Sequence, residues 1–224
     1  MKSDFLVRGR DPERLLAVFH GWSRSAAELA PWAARRTEDV LIFSDYAELP
    51  ETAPAALAEY REFRVLAWSL GVWAAAFCCG ILWRRMPSAA LAVNGTLEPL
   101  SASSGIAPEI FLGTAEHWLN PAARRKFEHR MGGPAAGIPD SGRSPENQQR
   151  ELLALAAAIG RTGPVANIFT RAIVGRNDRI FPAEAQLAAW HKTGLTPEIW
   201  PEAGHWIWHR QDDENGMADF GCSR

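Results

Sequence analysis

Arg64-Val65-Leu66-Ala67-Trp68-Ser69-Leu70-Gly71-Val72-Trp73 is the stretch on which the reading of the chain turns. An apolar run ends at Trp68, a serine follows, and a second apolar run begins at Leu70, with small residues two positions before and two after the serine. A nucleophile elbow needs this order. Its serine sits on a strained strand-to-helix turn, where bulky groups at those two positions would collide with neighbouring elements. Ala67 stands where the usual G-x-S-x-G pattern has its first glycine. The plainer alternative makes Ser69 a helix N-cap that only accepts a backbone N–H.

Outward from this stretch, Leu15 to His20 and Val40 to Ser44 read as buried strands, with helix-compatible Ser25 to Arg36 between them. Arg64 to Trp68 is a third strand, and Leu70 to Trp83 a helix with hardly a polar face, which implies burial on most sides. Ala89 to Val93 is a fourth strand, stopped by the turn dipeptide Asn94-Gly95. Ala172 to Gly175, a helix over Ala183 to Thr193, and Thr196 to Trp200 continue the alternation. The expected class is α/β, with a doubly wound, mostly parallel sheet whose functional groups gather at the carboxyl ends of the strands. Residues 99–147 are rich in glycine and proline and hold a charged helical stretch, Pro121 to Arg130. They read as a small helical cap inserted into one domain spanning 1–224, and the helix Gln148 to Ile159 returns the chain to the core.

With 47% apolar and 22% charged residues among 224, the composition is that of a soluble globular chain. Val65 to Trp83 carries no charge over nineteen residues and reaches spanning length. Ser69, Gly71, two cysteines and Gly80 interrupt it, so no membrane span is expected. With Lys2, Asp4 and Arg8 at its start, no signal peptide is expected. Basic and acidic residues nearly balance, at 24 against 26, so there is no global field for nucleic acid or anionic membrane. Three cysteines, Cys78 and Cys79 adjacent, offer neither a disulfide framework nor metal spacing, which suits a reducing cytoplasm. His205 and His209 share helical spacing without a third ligand nearby, and no GK[ST] or GxGxxG loop follows a strand. No metal or other cofactor is expected, and phosphoryl transfer is unsupported.

A serine nucleophile needs a base and an orienting acid, which in this chain order follow late strands. Asp178 lies in the loop Arg176 to Pro182, and His205 follows the last strand, so the order Ser69, Asp178, His205 emerges without free choice. Asp178 as a helix-capping residue and His205 as a packed surface histidine are the plainer alternatives. Asp45, also at a strand end, is the reserve acid. The N–H of Leu70 and, across the tight turn at Gly21, the N–H of Trp22 are the expected oxyanion donors. His20 suits loop shaping better than base chemistry. Gly21, Trp22, Trp68, Phe111 and Trp118 are candidate contacts for substrate, against an ordinary role in the core.

These residues resemble a known family, the BioG-type pimeloyl-[acyl-carrier protein] methyl ester esterases. The similarity lies in Phe19-His20-Gly21-Trp22, Asp45-Tyr46, Ala67-Trp68-Ser69-Leu70-Gly71-Val72-Trp73, Asn94-Gly95-Thr96, Phe111-Leu112-Gly113-Thr114, Arg130-Met131, Asp178-Arg179-Ile180-Phe181 and His205-Trp206. The resemblance implies an α/β-hydrolase fold and hydrolysis of the methyl ester of pimeloyl-[acyl-carrier protein], releasing methanol, in biotin biosynthesis. It carries over Ser69 as nucleophile, Asp178 as orienting acid and His205 as base. Two stretches depart from the pattern: Gln211 to Arg224 is polar where a last helix is expected, and Gly132 to Pro145 is poor in apolar residues.

An acidic carrier protein needs a basic docking surface. Arg124, Arg125, Lys126 and Arg130 supply one, unless they form only a solvated helix face, and Arg84 with Arg85 forms a second cluster. A monomer is expected. The rival functions are a hydrolase of a free small ester, thioester or lipid, and a catalytically silent carrier-binding protein in which Ser69 is structural.

Overall fold

The computed structural model describes residues 1–51, 60–132, 137–163 and 165–208. Among these residues seven strands form one sheet: β1 (Lys2–Val7), β2 (Arg14–Phe19), β3 (Asp39–Ser44), β4 (Glu62–Trp68), β5 (Ala89–Val93), β6 (Arg171–Gly175) and β7 (Glu198–Trp200). Their order across the sheet is β1-β3-β2-β4-β5-β6-β7. Of these seven only β1 runs antiparallel, pairing Lys2 with Ser44 through Phe5 with Leu41. Between β2 and β3 a 3₁₀ turn at Ala26–Leu29 leads into the one-turn helix α1 (Ala30–Ala33). The remaining helices are α2 (Gly71–Leu82), α3 (Pro108–Glu116), α4 (Pro121–Met131), α5 (Pro145–Thr162) and α6 (Ala183–Lys192).

Side-chain alternation along the strands divides the core into two layers. Leu15, Ala17 and Phe19 of β2 and Val65 and Ala67 of β4 join Val72, Trp73 and Leu82 of α2 on one face. Leu16, Val18, Leu66 and Trp68 meet Trp32, Ile207 and Trp208 on the other. The interior strands are thus apolar on both faces and read as continuous apolar runs. Helix α2 buries nine of its twelve residues, which is why it lacks a polar face. Each large side chain so buried contributes roughly 1.5–3 kcal/mol.

Two elements escape the sequence reading. Strand β1 begins with exposed Lys2, Ser3 and Asp4, as an edge strand can, since it has a single neighbour and needs no apolar alternation. Helix α3 leaves Ile110 and Leu112 exposed, so its apolar residues do not mark one buried stripe. Strand β4 starts before its apolar run because Glu62 pairs with Arg14 at the sheet's open end. The expected helix over Ser25 to Arg36 shortens to the 3₁₀ turn and α1. No helix of the described residues is long and apolar enough to cross a membrane.

Candidate active site

The turn after β4 is built by close backbone approach. Ser69 adopts φ 61°, the left-handed region, and its N–H donates to the carbonyl of Val93 at 2.9 Å. A Cβ on Gly71 would stand 2.3 Å from the Phe19 carbonyl oxygen, and one on Gly95 2.2 Å from that of Ser69. Glycine is required at both positions. Ala67 lies in register with Phe19 on one side and Ala92 on the other, and its methyl is accommodated in the core there.

Three strand ends converge on this turn. The Nε2 of His205 lies 3.0 Å from Ser69 Oγ, and its Nδ1 lies 2.8 Å from Asp178 Oδ2. Both His205 and Asp178 are buried. The other carboxylate oxygen of Asp178 accepts from the N–H groups of Ile180 and Phe181 at 2.8 and 2.9 Å, and Gln186 Nε2 donates to Oδ2 at 3.1 Å. With four donors to its two oxygens, Asp178 has one orientation, and the imidazole facing it inherits that orientation.

Asn94 performs a task that its reading as a turn residue did not reveal. Its Oδ1 accepts from Gly175 N–H at 2.7 Å, and its Nδ2 donates to the carbonyls of Gly204 and His205 at 2.8 and 3.0 Å. One buried amide therefore fastens the end of β6, which leads to Asp178, to the loop that carries His205. Trp68 Nε1 donates to the same His205 carbonyl at 2.9 Å. An asparagine directly after a strand is the only sequence signal for this role.

Ser69 and His205 open onto a cavity of about 170 Å³, walled by Ile106, Ile110, Phe111, Phe127, Met131, Leu152, Ile180 and Phe181. Trp22 and Leu70 also line it, and among the described residues no protein acceptor takes the N–H of either. Trp68 and Phe111 reach the cavity as expected. Trp118 does not: it packs behind Trp22 at 4.4 Å between ring centroids, its indole N–H donating to Gln148 Oε1. Gly21 lies beneath Trp68, where a Cβ would come within 2.4 Å of the indole, so it makes room for a wall rather than forming one. Arg179 at the rim was not singled out in the sequence.

Other candidates separate from the site. Asp45 ion-pairs with Lys2 at 3.1 Å and Arg143 at 2.9 Å. Burial pushes its carboxyl up, but the charges of Arg143 and Lys2 outweigh this and hold it below the usual carboxylate range. His205 is served by Asp178 instead. His20 is fully buried between Trp68 and Trp208, and burial followed by the charge of Arg24 holds its pKa well below the ordinary imidazole value. A neutral, enclosed ring suits loop shaping. Burial pushes the Cys78 and Cys79 thiols up to about 12 and about 11, far from thiolate chemistry at neutral pH.

Of the basic cluster, Arg125 and Lys126 point to solvent from α4, and Arg130 reaches the cavity rim. Arg124 is partly committed, donating to the carbonyls of Trp118 and Leu119 at 2.9 and 3.0 Å beyond the end of α3. Arg85 binds the carbonyls of Tyr60 and Arg61 where β4 begins, at the opposite end of the sheet from Ser69. The Arg84-Arg85 cluster therefore does not border the cavity. His209 and Gln211 to Arg224 lie outside the described residues, as does part of Gly132 to Pro145.

The profile of a family described as pimeloyl-ACP methyl esterase BioG matches residues 1–213. The chain is 32% identical over 203 residues to a malonyl-[acyl-carrier protein] O-methyltransferase of Bacteroides fragilis, a match covering 83% of this chain and 39% of that protein. It thus spans about two fifths of that relative's length. A crystal structure of BioG from Haemophilus influenzae superposes with a TM-score of 0.78 at 30% identity, covering 94% of this chain and 96% of the other. An α/β-hydrolase fold protein from Burkholderia ambifaria gives a TM-score of 0.55 at 21% identity over 94% of this chain and 88% of its own, a likeness of fold.

Proposed function

The chain belongs to the BioG family of pimeloyl-ACP methyl esterases, and from this premise we propose that it is a serine carboxylesterase that hydrolyses the methyl ester of pimeloyl-[acyl-carrier protein], a step of biotin synthesis in the cytoplasm. One observation carries the reading: Ser69 Oγ, His205 Nε2 and Asp178 Oδ2 form one hydrogen-bonded chain whose serine end opens onto an apolar cavity.

In the proposed reaction, His205 Nε2 takes the Ser69 proton as Oγ attacks the ester carbonyl. Asp178 accepts from Nδ1–H, fixing the tautomer that leaves Nε2 free to act as base and steadying the imidazolium that forms. The N–H groups of Trp22 and Leu70 receive the oxyanion, each worth roughly 3 kcal/mol in reactions of this kind. His205 returns the proton to the departing methoxide, methanol leaves, and water repeats the sequence on the acyl-enzyme. The cavity suits a slender acyl chain, since its walls are aliphatic and aromatic and its polar groups gather at Ser69 and the rim. Helices α3 and α4 act as a small cap, placing Ile110, Phe111, Phe127 and Met131 over the strand ends.

The carrier docks on α4 in this proposal, with Arg125 and Lys126 exposed and Arg130 at the rim, and with the exposed Ile110 beside Lys126 and Arg130. The test compares methanol release from pimeloyl-carrier methyl ester and from free short-chain methyl esters, with Ser69→Ala as control. The carrier-linked ester is expected to have the higher kcat/KM, and Ser69→Ala to be inactive on both. Preference for the short free esters would move the assignment to another esterase of this fold. A serine-directed fluorophosphonate that fails to label the folded protein would favour a silent carrier-binding role.

A further inference from the structure

We propose that Glu151 of α5 is a positioning residue for the oxyanion hole, holding the loop that presents the Trp22 N–H; the inference rests on the serine esterase reading. The loop after β2 is unusual in its backbone and in what surrounds it. Ser23 has φ 69°, a left-handed conformation that a non-glycine residue keeps only where its surroundings over-determine it. Helix α5 supplies that constraint. Glu151 Oε2 accepts the Ser23 N–H at 3.3 Å, and Gln148 Nε2 donates to the Ser23 carbonyl at 3.3 Å. The carbonyl of Gln148 accepts the Trp22 indole N–H at 2.7 Å. The Trp22 side chain and the peptide after Trp22 are thus both held from one helix, which restrains the backbone that carries the Trp22 N–H.

Glu151 also joins this loop to the next strand end. Its Oε1 accepts the Tyr46 N–H at 3.0 Å, and Arg143 Nη1 donates to Oε2 at 2.5 Å. Arg143 in turn pairs with Asp45. The Glu151 side chain has no exposed surface, so its carboxylate is satisfied by these protein groups among the described residues. A carboxylate serves the two backbone donors with separate oxygens. An amide of the same shape keeps its one oxygen where Ser23 N–H and Arg143 both donate and turns its NH₂ toward Tyr46 N–H, so it leaves the Ser23 loop held. Glu151→Met, of similar length, removes both acceptors and releases both loops.

The experiment measures steady-state kinetics on a small methyl ester and the affinity of an alkyl boronic acid, whose adduct with Ser69 places an oxygen in the oxyanion site. In Glu151→Met, kcat is expected to fall about tenfold or more, KM to stay within about twofold, and boronate affinity to weaken by the same factor as kcat. A purely structural role would lower the melting temperature and leave these parameters of the folded enzyme alone. A cooperatively melting Glu151→Met with kcat and boronate affinity within about twofold of wild type overturns the proposal. If that variant does not melt cooperatively, Glu151→Asp, which keeps the charge beside Arg143 and withdraws the carboxylate from both backbone donors, decides by the same readouts: a parallel loss supports the proposal, and unchanged values overturn it. Ester hydrolysis that survives Ser69→Ala would overturn the underlying reading, an outcome separate from either of these.

Discussion

Ser69 holds an uncommon backbone angle, and among the described residues its hydroxyl has one hydrogen-bond partner, the imidazole of His205. Ser69→Ala removes the proposed nucleophile and little else, so kcat should fall about 10³-fold or more while the melting temperature stays close to wild type. Asp178→Asn tests the proposed orienting acid more sharply. An asparagine Oδ1 keeps the bonds from Ile180 and Phe181, but its Nδ2 would face His205 Nδ1 and select the wrong tautomer. A loss of roughly 10³–10⁴ in kcat with nearly unchanged KM is expected from steady-state kinetics, and a loss under tenfold would remove Asp178 from its role. At this scale the three side chains were legible because each sits at a strand end, in an order set by topology. Asn94, Gln186 and Glu151 were not, because a polar side chain that satisfies buried backbone groups leaves no mark in periodicity. Trp118 was misplaced because an aromatic lining a cavity and one packed behind it look alike in sequence.

Among the elements, α2 shows how position alone separates two glycines. A Cβ at Gly71 meets the Phe19 carbonyl oxygen at 2.3 Å, whereas one at Gly80 meets nothing within 4 Å. Gly71→Ala should cost about 1–3 kcal/mol in urea unfolding and lower kcat, because the turn at Ser69 must shift. Gly80→Ala should stabilise by about 0.5–1 kcal/mol and leave kcat alone. Equal effects would contradict the packing described at the turn. Helix α4 carries the docking claim. Charge reversal at Arg125 and Lys126 should raise KM for carrier-linked ester several-fold and spare a small ester, most clearly at low salt. Arg124, the sequence's equal candidate, is a poorer choice, since its loss also frees carbonyls beyond α3. The interior strands and α2 were legible because burial on both sides writes apolar runs. Strand β1 and helix α3 were not, since an edge strand and a partly exposed helix carry mixed polarity.

For the whole molecule, stability in acid follows from how its buried carboxylates are held. Burial pushes Asp39 up, but the N–H groups of Gly9, Arg10 and Asp11 and the Tyr60 hydroxyl outweigh this and hold it below its ordinary 3.8. The native state therefore binds fewer protons there than the unfolded chain, so this stabilisation is present above pH 3.8 and is lost as pH falls through the depressed value. Glu151 has the opposite sign, since burial outweighs Arg143 and raises its pKa above 4.5. Urea unfolding between about pH 2 and 5 should show wild-type stability falling steeply toward acid, with a flatter slope in Asp39→Asn. The balanced net charge of −2 gave no hint of these local arrangements, nor of α4 with its exposed basic side chains. The measurement that bears most directly on the central claim is rapid quench of the protein with excess pimeloyl-carrier methyl ester, followed by peptide mapping. An ester-linked acyl adduct on the Ser69 peptide, formed with a stoichiometric burst of methanol and absent in Ser69→Ala, is the expected result. Methanol release without that adduct, or undiminished in Ser69→Ala, would contradict it.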